Sequence, residues 1–144
     1  SRHMSTTTAY LAGLLDGEGC VTVSGGDSNR SHQLRVTLEM TDPEPIYLLQ
    51  ENYGWTIHER ERPHGRRLLF SWYISGGVAL DFLADILLHS LAKENQIIEA
   101  LKFPYFPGVG RTYGKHRPMP PEIVAELERI KRSLAGMKER RTDV

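Results

Sequence analysis

Two carboxylates set among glycines are the residues of this 144-residue chain best suited to chemistry. They are Asp16 and Glu18, in the run Leu11-Ala12-Gly13-Leu14-Leu15-Asp16-Gly17-Glu18-Gly19. A carboxylate beside accessible glycine backbone suits a hard cation, because Mg²⁺ takes one or two carboxylates and completes its shell with water and substrate phosphates. The same residues also read as a helix end carrying two solvated acids. Other catalytic chemistries lack their residues. The six histidines, at 3, 32, 58, 64, 89 and 116, show no paired metal spacing. Neither a glycine-rich phosphate loop nor a nucleophilic Ser or Cys constellation is present. The lone Cys20 forms no intramolecular disulfide and suits packing or contact with a base better than catalysis.

The elements that must position these acids follow from periodicity. Thr7 to Asp16 reads as a helix with Leu11, Leu14 and Leu15 on one side and small Ala9, Ala12 and Gly13 permitting close approach, ended by Gly17 and Gly19. Val21 and Val23 alternate with Thr22 and Ser24, Gly25 to Asn29 reads as a turn, and alternation resumes from Gln33 to Met40. Leu34, Val36, Leu38 and Met40 share one face of that second strand; Gln33, Arg35, Thr37 and Glu39 share the other. Asp42 and Pro43 open a short helix closed by Gly54. A second ribbon follows, Trp55 to Arg62 and Arg66 to Ile74, joined at Pro63-His64-Gly65. Helices are predicted over Val78 to Leu91 and Lys93 to Phe103, the second with Ile97, Ile98 and Leu101 inward. Pro104 to Pro121 forms a basic connection, and Ile123, Leu127, Ile130, Leu134 and Met137 mark a final amphipathic helix. Glu122 and Glu126 at its start and Lys138, Arg140 and Arg141 near its end satisfy the helix dipole. The expectation is an α+β single domain with a four-stranded antiparallel sheet. Ser1-Arg2-His3 before Met4 reads as a tag remnant, leaving 4–144 as that domain.

The order of residues in the Leu11 to Gly19 run resembles the signature of the LAGLIDADG homing endonucleases. It matches Leu-Ala-Gly-Leu at the start, Asp16 at the sixth place and Gly19 at the ninth, with Glu18 where the family carries its metal-binding acid. The helix-ribbon-helix-ribbon-helix order agrees with that family's αββαββα fold, followed here by extra C-terminal helices. The resemblance implies that Glu18 is a catalytic, metal-holding carboxylate, that the Gly17 carbonyl is a second ligand, and that Asp16 is a cap or structural residue. The signature occurs once, which implies the homodimeric branch. Two such helices would then meet at a two-fold axis through Leu11, Ala12, Gly13, Leu14 and Asp16. Lys93, in Leu91-Ala92-Lys93-Glu94, falls where single-motif members place a catalytic basic residue. Glu39 and Met40 compete for a polar position near the end of the second strand, and neither is a typical match. The implied cofactor is Mg²⁺, with Mn²⁺ as a substitute and Ca²⁺ as a binder that does not support cleavage.

An antiparallel ribbon fits the major groove, so the polar sheet face is the candidate DNA-reading surface. It comprises Thr22, Ser24, Gln33, Arg35, Thr37, His58, Arg60, Arg62, Arg67, Ser71 and Tyr73, with Arg30 and Arg66 at the ribbon tips and Lys115 in the basic connection. A solvated sheet face would have much the same composition.

Eighteen basic residues cancel eighteen acidic ones, which argues against a uniformly basic nucleic-acid coat. The charges are segregated, however: residues 1–54 and 75–110 are net acidic, whereas 55–74 and 111–144 are net basic. The expected partners are a double-stranded DNA target and a second copy of the chain, with intron RNA a further candidate. No membrane partner is expected, and an intracellular setting, cytoplasm or organelle interior, fits the single cysteine. The resemblance therefore implies a homodimeric, metal-dependent endonuclease of intron homing, cutting a long, partly palindromic site and leaving short 3′ overhangs. The alternatives are an intron RNA maturase or DNA-binding regulator on the same fold without nuclease activity, and an unrelated α+β interaction domain.

Overall fold

A computed structural model describes residues 6–26, 31–104 and 118–142. Its first element, α1 (Thr6–Glu18), buries Thr8, Leu11, Ala12 and Leu15, a single stripe at helical spacing. The helix runs through Gly17 to Glu18, two residues beyond the predicted stop at Asp16. Strands β1 (Gly19–Ser24) and β2 (Gln33–Met40) form the first antiparallel pair, with Val21 opposite Val36 and Thr22 opposite Arg35. Helix α2 (Pro43–Tyr53) starts as predicted: the Asp42 carboxylate accepts the Glu44 N–H at 3.2 Å, Pro43 occupies the first turn, and Gly54 closes it at φ 80°.

The second pair is shorter than alternation suggests, β3 (Ile57–Arg60) with β4 (Leu69–Ser75). Its connection turns through left-handed His64 and Gly65, and Arg62, Arg66 and Arg67 lie in that connection rather than on a strand. Strand order is β1-β2-β4-β3, antiparallel throughout, so the two ribbons meet along β2 and β4.

Helix α3 (Gly76–Ile86) ends five residues before the predicted Leu91 and passes into a 3₁₀ turn at Leu87–His89. Leu88 and Leu91 are 78% and 86% exposed, so apolar type misled there. Helix α4 (Glu94–Ala100) is likewise shorter than predicted; Ile97 is buried, but Ile98 points outward. Helix α5 (Pro121–Thr142) buries Leu127, Ile130 and Leu134 and packs against β1 and α4.

The inner sheet face supplies Val21, Val23, Leu34, Val36, Leu38, Trp72 and Ile74 to a core shared with α1, α2 and α3. Trp72 and Phe82 meet edge to face at 5.8 Å, and Tyr53 packs on Phe82 at 4.9 Å while its hydroxyl donates to Asp85 at 2.6 Å. Each fully buried large side chain contributes about 1.5–3 kcal/mol. All helices named so far lie against the inner face or the β1 edge, leaving the outer face uncovered by the described residues. None of the described helices is long and apolar enough to cross a membrane.

Candidate functional site

The last turn of α1 is organised by Asp16. Its carboxylate accepts the Ser90 hydroxyl, the backbone N–H of Leu91 at 2.7 Å, of Ala92 at 3.2 Å and of Lys93 at 3.1 Å. Burial pushes its pKa upward, but the Ser90 hydroxyl and these three N–H groups outweigh that and hold it below the ordinary carboxylate value. A carboxylate so fully engaged has little capacity left for a cation. The loop it pins carries Lys93, whose side chain is buried and whose Nζ donates to the Asp16 carbonyl at 2.7 Å. The lysine thus reaches the final turn of α1 from a position remote in sequence.

Glu18 ends α1, exposed, and among the described residues it has no hydrogen-bond or ion-pair partner. Gly17 beside it is also exposed, and a Cβ there would meet nothing within 4 Å. Among the described residues no group of three His, Cys, Asp or Glu side chains gathers to hold a metal. One chain therefore supplies one open carboxylate with accessible backbone beside it. That donor set fits a hard cation whose shell is otherwise water and phosphate oxygen.

The exposed face of α1 corrects part of the predicted subunit contact. Leu11 and Ala12 are 1% and 0% exposed; they belong to the chain's own core and cannot meet a second subunit. Leu14 is half-buried against that core, and Asp16 is committed to the Ser90 to Lys93 loop. The outward stripe is instead Ala9, Gly13 and Gly17, four residues apart, with Tyr10 beside it. Glycine inside a helix costs about 0.5–1 kcal/mol relative to alanine. Among the described residues a Cβ at Gly13 or Gly17 would meet nothing within 4 Å beyond its own helix backbone, whereas at Gly19 a Cβ would strike the Leu15 side chain. Nothing among the described residues calls for glycine at 13 and 17.

The outer sheet face collects most of the predicted reading residues. Register places Thr22 beside Arg35, Ser24 beside Gln33, Thr37 beside Tyr73, and His58 beside Ser71. Arg35 lies over the Tyr73 ring at 4.0 Å, and His58 stacks on the same ring with 5.6 Å between centroids. Gln33 donates to the Ser75 hydroxyl at 3.2 Å, and Arg60 lies 3.8 Å from Glu39, whose side chain shares this face, while Met40 faces inward. In the β3–β4 connection Arg62 donates to the Arg67 carbonyl at 2.8 Å, and Arg66 and Arg67 are exposed. Arg30, Lys115 and the rest of the basic 111–117 stretch lie outside the described residues.

Three contacts escaped sequence reasoning. Lys138 on α5 places Nζ 3.1 Å from the Cys20 Sγ, Lys131 donates to the Gly25 carbonyl at 2.7 Å, and His32 pairs with Glu128 at 2.7 Å. Helix α5 therefore runs antiparallel to β1, from the ribbon tip to the residues just after Glu18. Lys138 reads in sequence as a partner of the helix dipole, and no local pattern reveals a contact across 118 positions.

No protein-family model matches the sequence, and no curated protein matches it. Solved structures do. The homing endonuclease I-CvuI, crystallised with the I-CreI target in the presence of Mg and with DNA not cleaved, aligns over 90% of this chain and 80% of its own, at 19% identity and a TM-score of 0.63. The archaeal intron-encoded homing endonuclease I-Vdi141I, complexed with DNA, aligns over 90% of this chain and 82% of its own, at 14% identity and a TM-score of 0.64. The LAGLIDADG meganuclease I-AabMI, bound to uncleaved DNA, aligns over 92% of this chain but 47% of its own, at 18% identity and a TM-score of 0.55. With its signature helix, paired ribbons and open sheet face, the chain has the fold of the LAGLIDADG homing endonucleases.

Proposed function

We propose that the chain is a homodimeric, site-specific DNA endonuclease that cuts both strands of a long, partly palindromic target by metal-dependent phosphodiester hydrolysis. The observation that carries this reading is the end of α1: Glu18 exposed and without a partner among the described residues, Lys93 donating to the Asp16 carbonyl in the same turn, and a polar sheet face continuing from it. The structural neighbours support it, since I-CvuI was crystallised with its own target in the presence of Ca and with the I-CreI target in the presence of Mg.

Glu18 and the Gly17 carbonyl would hold a divalent cation, Mg²⁺ by preference. When bound, such an ion stabilises charge building on the scissile phosphate and makes water a better nucleophile. The protein's own part is positional. Lys93 holds a positive charge by the end of α1, where a phosphate oxygen gains charge in the transition state. The outer face of the sheet lies in the major groove and sets the register of the duplex against Glu18. A second copy packed through Ala9, Gly13 and Gly17 brings a second Glu18 to the axis, one for each strand.

Selection of cleaved duplexes from a random library in Mg²⁺ identifies the target. Changing an outer-shell group at a metal site costs about 10–100-fold, so loss of the ligand itself in Glu18→Gln should lower the cleavage rate by about 100-fold or more while leaving target affinity near wild type. Normal cutting by that variant would overturn the site. Wild-type protein that binds a duplex or intron RNA in Mg²⁺ without nicking DNA would instead support a regulator or maturase.

A further inference from the structure

Trp55 departs from the pattern around it. Ile57 pairs with Trp72 on the core side of the sheet, so alternation assigns Trp55 to the core side as well. Its backbone is instead left-handed, φ 70°, a conformation that strains a bulky residue and persists only where neighbours impose it. Two side chains impose it here. Gln50 donates to the Trp55 carbonyl at 2.9 Å, and the buried Trp72 indole donates to the Gly54 carbonyl at 2.7 Å. The Trp55 indole is consequently 41% exposed and meets Tyr73 edge to face, with centroids 5.8 Å apart. Tyr73 belongs to the outer face and carries Arg35 and His58 on its ring. One apolar plane is thereby set among donors on the surface assigned to DNA, in the row that continues through Thr37 and Cys20 toward the end of α1.

The major groove presents donors, acceptors and one apolar group, the C5-methyl of thymine. We propose that Trp55 is a specificity-determining residue that contacts the 5-methyl group of a thymine in the bound duplex, while Arg35 and His58, held on Tyr73, face the polar edges of neighbouring bases. The inference rests on the DNA-cleaving reading above. Its chemistry is that of a methyl group leaving water against an indole that two hydrogen bonds hold out of the core.

The test uses duplexes recovered by the cleavage selection, with each thymine replaced in turn by deoxyuridine, which removes only the methyl group. Binding is measured for Glu18→Gln protein and for the same protein also carrying Trp55→Ala. One position in each half-site should lose about threefold to tenfold in affinity on methyl removal with Trp55 present, and nothing with Trp55→Ala. Iodide quenching gives a second readout, because Trp72 is 0% exposed and Trp55 is the other of the two tryptophans. Quenching should fall when the duplex binds. If both proteins respond identically to every deoxyuridine, or if quenching is unchanged in the complex, Trp55 is not at the interface, and cleavage itself still stands. A selection that yields no cleaved duplex removes the DNA-cleaving reading and this inference together.

Discussion

Asp16 shows how one side chain can serve a site without touching its chemistry. Its carboxylate gathers the Ser90 hydroxyl and three backbone N–H groups ahead of α4, as a capping residue does for a helix start. Replacing it by Asn keeps the shape but removes the charge, and should cost about 1–2 kcal/mol of stability at neutral pH. Because its folded pKa is depressed, that contribution is complete above the unfolded value, near 3.8, and is lost as pH falls through the folded one. Urea unfolding of wild type and Asp16→Asn should therefore show a gap at pH 7 that closes in acid; an equal gap at both pH values would show that the charge does not matter. The place of Glu18 at the junction of α1 and β1 was legible in the sequence because its signature is contiguous. The arrangement around Lys93 was not, since Asp16 and the lysine are 77 positions apart and only folding brings them together. Trp55 was placed on a strand that begins only at Ile57, because alternation assumes extended backbone and the residue is left-handed.

Element types were readable where periodicity and capping agreed, as in β2 with its alternating faces and α2 with Asp42, Pro43 and Gly54. Boundaries failed where tertiary hydrogen bonds overrode local preference. Helix α3 stops at Ile86 because the N–H groups of Leu91 to Lys93 are drawn to Asp16, which a continuing helix would forbid. Helix α1 continues through Gly17 because a single glycine costs less than the last turn that carries Glu18 gains from packing. At the first ribbon the conformational demand is explicit. Gly25 has φ 88°, and a Cβ there would meet the Ser31 carbonyl oxygen at 2.1 Å. Gly25→Ala should cost about 1–3 kcal/mol and loosen the clasp that Lys131 makes on the Gly25 carbonyl. The urea midpoint measures the first, and hydrogen exchange in β1 the second; an unchanged midpoint would show that the tip relaxes without strain.

At the scale of the whole molecule, neutrality conceals a separation of charge between a basic second ribbon and C-terminal segment and acidic stretches elsewhere. Binding to DNA should accordingly weaken with salt, since the slope counts local phosphate contacts rather than net charge. Assembly is the other property of this scale. Gly13→Leu introduces bulk where this chain has open space, so the fold should keep its circular dichroism and thermal midpoint while dimerisation weakens by about tenfold or more in sedimentation velocity. Undiminished dimerisation would place the subunit contact elsewhere. The sheet edges bear on the same question. Strand β1 ends the sheet on one side and has α5 packed against it; β3 ends it on the other, is four residues long, and carries His58, Glu59 and Arg60 exposed. Short, charged or covered edges discourage strand addition. Growth by sheet extension, which has no natural end, is thereby discouraged, whereas the proposed pairing of two copies through a self-complementary helix face would end with the pair. The same covering of β1 that ties α5 to the ribbon thus works against fibre growth in a protein whose outer sheet face the described residues leave uncovered.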